Sequence, residues 1–103
     1  MFSALILFGY PRDTAAFERH FDRSFRPLVL AIPGIETVTI NRIAGAAKGD
    51  PPIYFLVEVR FGSEEAMQHG LNSEHGQAMA REMGSFASGG VTILFSQTAV
   101  MEL

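Results

Sequence analysis

The sequence predicts an α+β domain in the order β-α-β-β-α-β, with a four-stranded antiparallel sheet and its helices on one side. Three observations lead there. Four stretches, at residues 2–9, 35–43, 53–61 and 91–95, are rich in apolar and β-branched residues and bounded by Gly, Pro or polar residues. Two amphipathic stretches lie between the first and second and between the third and fourth of them. The connections are short, which favours two compact βαβ halves in one domain covering residues 1–103.

Residues 2–9, FSALILFG, are apolar on both faces, as in a central strand covered from each side. Gly9, Tyr10 and Pro11 end it, and Asp13 or Thr14 can cap a helix from about residue 14. Pro27 cannot donate to Arg23, so this helix kinks there or restarts with Pro27 in its first turn. Pro33-Gly34 closes the segment. Residues 35–43, IETVTINRI, form the second strand, followed by the Gly/Ala/Pro loop AGAAKGDPP.

In the third strand, IYFLVEVRF, Ile53, Phe55, Val57, Val59 and Phe61 point one way and Tyr54, Leu56, Glu58 and Arg60 the other. Ser63 before Glu64 and Glu65 is a helix start. The register breaks between Gly70 and Gly76, where Asn72-Ser73 can end one helix and cap a second that turns Ala78, Met79, Met83 and Phe86 inward. SFASGG is a loop, VTILFSQ holds the last strand, and residues 98–103 read as a tail.

Helices on one side leave the other sheet face open. That face carries Tyr54 and Leu56, and the first strand is apolar toward it as well. The expected cover is the same face of a second protomer, giving a symmetric homodimer with a cavity between the sheets or beneath the first helix. The hydrophobic fraction, 48% in 103 residues, agrees with apolar surface meeting another chain.

Net charge is −3, and the eight basic residues are scattered, which argues against nucleic-acid binding. Without cysteine there is no disulfide, thiolate nucleophile or zinc-thiolate site, and a cytoplasmic location is the default expectation. The apolar opening has no basic stretch before it or small-residue cleavage site after it, and no segment is long enough to span a membrane.

Candidate chemistry centres on AFERHFDRSFRPL, residues 16–28. Phe17, His20, Phe21, Ser24, Phe25 and Leu28 share one helical face, while Glu18, Arg19, Asp22, Arg23 and Arg26 take the other. An imidazole inside so apolar a stripe is either a proton-transfer group or ligand anchor, or a buried histidine bonded to Ser24 one turn away or to a carbonyl. His20 is thus the candidate catalytic residue, with Phe21, Ser24, Phe25, Tyr54, Glu58 and Phe86 as candidate pocket residues.

Each of these has a structural alternative. The aromatic residues can be core, and Glu58 can pair with Arg60 at the sheet edge or across a dimer. His69 and His75 share no stripe with His20 and read as surface residues, so no metal site is expected. Gly89-Gly90 precedes a strand instead of a helix, so it is no phosphate cradle, and no cofactor motif is present.

AFERHFDRSFRPL resembles the first-helix signature of the EthD family, where a second histidine follows five residues later in an H-x-P-L segment. PPIYFLVEVRF, SEEAM, NSEHGQA and FASGGVTILF resemble further blocks of that family in order and spacing, over residues 2–97. The resemblance implies a ferredoxin-like domain that dimerises into an α+β barrel. EthD is named for an accessory factor of ethyl tert-butyl ether breakdown, and barrel relatives include cofactor-free monooxygenases, isomerases, cyclases and haem enzymes.

Two positions depart from the pattern. Phe25 occupies the place of the second histidine, so a mechanism using both imidazoles does not carry over. Glu74-His75 replaces Pro-Glu in the family's S-P-E-G-Q block. The expected function is binding of a compact apolar or aromatic metabolite, with cofactor-independent proton-transfer or oxidative chemistry at His20; the alternative is a non-enzymatic accessory or metabolite-binding protein.

Overall fold

The computed structural model describes residues 1–102. Strand β1 (Phe2–Phe8) is followed by α1 (Thr14–His20), a π-helical turn (Phe21–Phe25) and α2 (Arg26–Leu30). Then come β2 (Ile35–Arg42), β3 (Phe55–Phe61), α3 (Glu64–Asn72), α4 (Glu74–Phe86) and β4 (Val91–Gln97). The four strands form one sheet in the order β2-β3-β1-β4, antiparallel throughout, which is the ferredoxin-like arrangement.

Local chemistry starts and stops the helices where the residues demand it. Asp13 accepts from the Ala16 amide at 3.0 Å and opens α1, and Ser63 does the same for the Ala66 amide at 3.1 Å and opens α3. Ser73 ends α3 and caps α4 at once, donating to the Gly70 carbonyl and accepting from the Gly76 amide. The break allows α3 and α4 to fold against each other: a β-carbon on Gly76 would lie 2.3 Å from the Leu71 carbonyl oxygen. Pro27 falls in the first turn of α2, so the helix restarts there.

Between α1 and α2 the backbone widens into a π turn, with the Arg26 amide donating to the Phe21 carbonyl five residues back. The spacing of residues 16–28 predicts one continuous α-helical face, and the extra residue in this turn interrupts it. Side chains four apart still meet across the turn: Arg26 Nη1 donates to Asp22 Oδ1 at 3.1 Å, and the Phe21 and Phe25 rings pack at 5.5 Å.

The core lies between one sheet face and the helices. Ala4, Ile6 and Phe8 of β1 and Phe55, Val57, Val59 and Phe61 of β3 are buried there against Phe17, Phe21, Phe25, Val29, Met67, Met79 and Met83. The second face has no helix over it. Leu5 stands opposite both Glu58 and Leu94, and Leu7 opposite Leu56, so a leucine patch borders the Glu58–Arg60 pair on one side, while Ser3, Thr37 and Thr39 flank it elsewhere. Leu94 is 49% exposed. Among the described residues no helix is long and apolar enough to cross a membrane.

Candidate functional site

His20 ends α1, and its Nε2 lies 2.5 Å from Oε1 of Glu82 in α4. Phe86, one turn after Glu82, stacks on the imidazole at 4.6 Å between ring centres and 18° between planes. The expected contact with Ser24 is not made; the imidazole Nε2 engages Glu82 instead. Ser24 instead borders a shallow depression with Ala16, Arg19 and Arg23 on the outer side of His20.

The imidazole and Phe86 line a cleft of about 360 Å³, with Pro11, Arg12, Asp13, Ala16 and Phe17 on one side and Gly84 to Ser88 on the other. This is within the range of about 300–1,000 Å³ that suits a small organic molecule. Its floor is aromatic: Phe86 packs on Phe17 at 5.2 Å, on Phe25 at 5.4 Å and on Phe8 at 5.5 Å. Its rim is polar, with Arg12, Ser85 and Ser88.

Two close backbone approaches shape the cleft. A β-carbon on Gly9 would sit 2.1 Å from the Gly89 carbonyl oxygen, and one on Gly89 would sit 2.2 Å from the Tyr10 carbonyl oxygen. Only glycine permits this crossing. It brings the loop after β1 against the loop before β4, where the Arg12 amide donates to Ser88 Oγ at 3.0 Å and the Gly9 amide to the Gly90 carbonyl at 3.0 Å.

The other candidate residues are distributed around this centre. Phe21 and Phe25 are buried beneath it, and Phe21 also borders a separate cavity of about 80 Å³ with Val29, Val38, Ile40 and Val57. Tyr54 does not share the uncovered sheet face with Leu56 as its spacing predicts: it lies just before β3, outside the strand's alternation, and packs on Phe17 at 5.6 Å and on Tyr10 at 5.5 Å. Glu58 is on the opposite sheet face, accepting from Ser3 Oγ at 3.0 Å and lying 3.4 Å from Arg60. The structure thus brings His20 and Phe86 together, sets Phe21 and Phe25 behind them, and leaves Glu58 outside this cleft.

Glu82 is the neighbour of His20 that the sequence pattern does not single out. The sequence places it on the inward side of α4, four residues before Phe86 and three after Met79, but carries no sign of its pairing with His20. Among the described residues, no group of three or more His, Asp or Glu side chains could hold a metal ion.

Burial pushes the Tyr54 phenol above its ordinary value of 10.0; the Glu18 carboxylate and Tyr10 add to the rise, and Arg42 opposes it. Because the unfolded chain ionises first, stability is lost as pH climbs from about 10 through the higher folded value. Tyr54→Phe should lose the later step of a spectrophotometric tyrosine titration and lessen this alkaline destabilisation. Both wild-type phenols ionising together in one step at about 10 would contradict the raised value.

No family model matches the chain. It is 32% identical, over 93% of its length and 93% of the relative's, to an uncharacterized 11.0 kDa protein of the thcB-thcC intergenic region in Rhodococcus erythropolis. Among solved structures, an EthD family protein from Bacillus halodurans superposes with a TM-score of 0.90 at 25% identity, covering 96% of this chain and 99% of that one. A dimeric ferredoxin-like protein of unknown function from Thermobifida fusca has a TM-score of 0.70 at 14% identity, covering 94% and 90% of the two chains, and shares the fold. With the fold, its helix and strand blocks and a near-full-length superposition in agreement, the chain resembles the EthD family and is a near-full-length relative of the Rhodococcus protein.

Proposed function

We propose that this protein binds a compact apolar or aromatic molecule in the cleft between α1 and α4, and that His20 transfers a proton to or from it without a cofactor. The observation that carries this reading is an imidazole held between a carboxylate and an aromatic ring on the wall of a cleft of ligand size. Phe86 forms the ligand-facing wall, and Phe21 and Phe25 support it from the core.

The working unit in this proposal is a homodimer joined through the uncovered sheet face. The patch of Leu5, Leu7, Leu56 and Leu94 supports it, as does the dimeric ferredoxin-like neighbour from Thermobifida fusca. Glu58 and Arg60 lie beside that patch on the same sheet face and would meet the second copy. A second reading, that the protein binds its ligand as a non-enzymatic accessory, is favoured by one observation. Phe25, at the family's second histidine position, is fully buried and offers no second proton carrier.

Native mass spectrometry of freshly purified protein tests assembly and retained ligand together, followed by the same measurement with added small aromatic compounds. The expected result is a dimer that takes up a compound. His20→Ala should leave the dimer intact and abolish conversion of that compound; loss of binding without any conversion in the wild type would select the accessory reading. A monomer that binds none of the compounds would overturn the proposal.

A further inference from the structure

Building on the assignment of the α1–α4 cleft as a ligand site, we infer that Glu82 is a positioning residue that presents Nδ1 of His20 as the proton acceptor, for a small weak acid whose anion pairs with Arg12. A carboxylate oxygen only accepts, so the contact between Glu82 Oε1 and Nε2 assigns the ring proton to Nε2. The lone pair is then on Nδ1. Among the described residues no protein group bonds Nδ1, and it is not among the buried polar atoms lacking a partner, so it is open to an incoming molecule.

The ring cannot easily turn away. Phe86 fixes its plane by stacking, and Glu82 is itself restrained by the Ser85 hydroxyl, 2.7 Å from the Glu82 carbonyl oxygen and 3.2 Å from the same Oε1. The Ser85 side chain thus ties the carboxylate to the end of α4. Such second contacts set which imidazole nitrogen is available for chemistry.

Charge balance then points to the ligand class. An O–H or C–H bond of the ligand breaks, its electron pair stays on the ligand, and an N–H bond forms at Nδ1. The resulting imidazolium is balanced by Glu82, which leaves the ligand's negative charge to be met elsewhere. Arg12 is the one arginine or lysine among the residues lining the cleft. Asp13, beside it, is engaged with the Ala16 amide as a helix cap. The step closes when Nδ1 returns the proton to the same atom or to another atom of the anion, and it consumes no oxidant or reductant.

Nitrogen-detected NMR of the histidine side chains in the ligand-free full chain reads the first part directly, with the His20 signal identified by its loss in His20→Asn. Wild type is expected in the Nε2–H tautomer. Glu82→Gln, which keeps an acceptor oxygen, should retain that tautomer, whereas Glu82→Ala should show a mixture with an unchanged circular dichroism spectrum. The Nδ1–H tautomer in wild type, or the same tautomer in Glu82→Ala, would overturn the role of Glu82.

4-Nitrophenol reads the second part, because its acid and its anion absorb differently. Wild type should bind it as the anion near neutral pH; Arg12→Ala should weaken binding about tenfold, and Glu82→Ala should reduce the ionised fraction of bound probe. Binding indifferent to Arg12→Ala would overturn the anion assignment while leaving the cleft as a ligand site. Absence of any binding, with the expected tautomer present, would count against the ligand-site reading and not against the positioning by Glu82.

Discussion

Phe8→Ala should cost about 3–5 kcal/mol of folding stability, the range for removing a large aromatic side chain from a packed core. Phe8 is fully buried and touches four rings at once, with centroid distances of 5.3 Å to Phe17, 5.5 Å to Phe86, 5.8 Å to Phe25 and 6.2 Å to Phe55. These rings come from α1, α4, the π turn and β3. Each would lose an edge or face contact, and none can fill the space without moving the others. Urea unfolding followed by circular dichroism measures the loss. Because Phe86 is both a neighbour of Phe8 and the ring under His20, the same variant should loosen the cleft; a stability change below about 1 kcal/mol would show that the aromatic cluster repacks freely.

Gly89→Val should be as damaging and for a different reason. The obstacle is backbone oxygen: the Tyr10 carbonyl would lie 2.2 Å from the new β-carbon, and a carbonyl cannot swing aside as a side chain can. The loops after β1 and before β4 would have to separate, breaking the contact of Arg12 with Ser88 and opening the side of the cleft. The expected result is a loss of about 2–4 kcal/mol, typical of a strained or disrupted backbone position, with ligand binding lost even at temperatures where the fold survives. Full retention of both stability and binding would show that the crossing is not needed.

The first strand was legible as an unbroken apolar run and the third by its alternation. Phe55, Val57, Val59 and Phe61 alternate with Leu56, Glu58 and Arg60, and the structure buries the first set against the helices. The capped helix starts at Asp13, Ser63 and Ser73 were readable for the same local reason. Small boundary differences follow from hydrogen bonding: β3 begins at Phe55 instead of residue 53, although the Tyr54 amide still donates to the Phe8 carbonyl.

The site was legible only in part. His20 stood out as an imidazole on an apolar face, and Phe86 as the last inward residue of α4. Glu82 and Ser85 could be joined to them only by knowing how α4 packs on α1, a contact between residues 62 apart in the chain. The π turn was hidden for a related reason. Hydrophobic periodicity reports which residues are buried, and Phe17, Phe21 and Phe25 are buried whether the turn takes the ordinary number of residues or one more.

That extra residue works as a phase shift between two halves of one helical rod. Upstream of it the inward stripe is read from Phe17; downstream it is read from Phe25 and Val29, and His20 stands at the joint, belonging fully to neither. A single-residue deletion within Phe21–Phe25 would restore one continuous phase, and the rotation of about 100° per residue in an α-helix would fall on one side of the joint. Phe17 and Phe25 could then no longer both keep their places with His20 facing Glu82. Insertions and deletions in this short segment are therefore a coarser control on the cleft than any side-chain replacement, because they set which way the imidazole faces before its neighbours act on it.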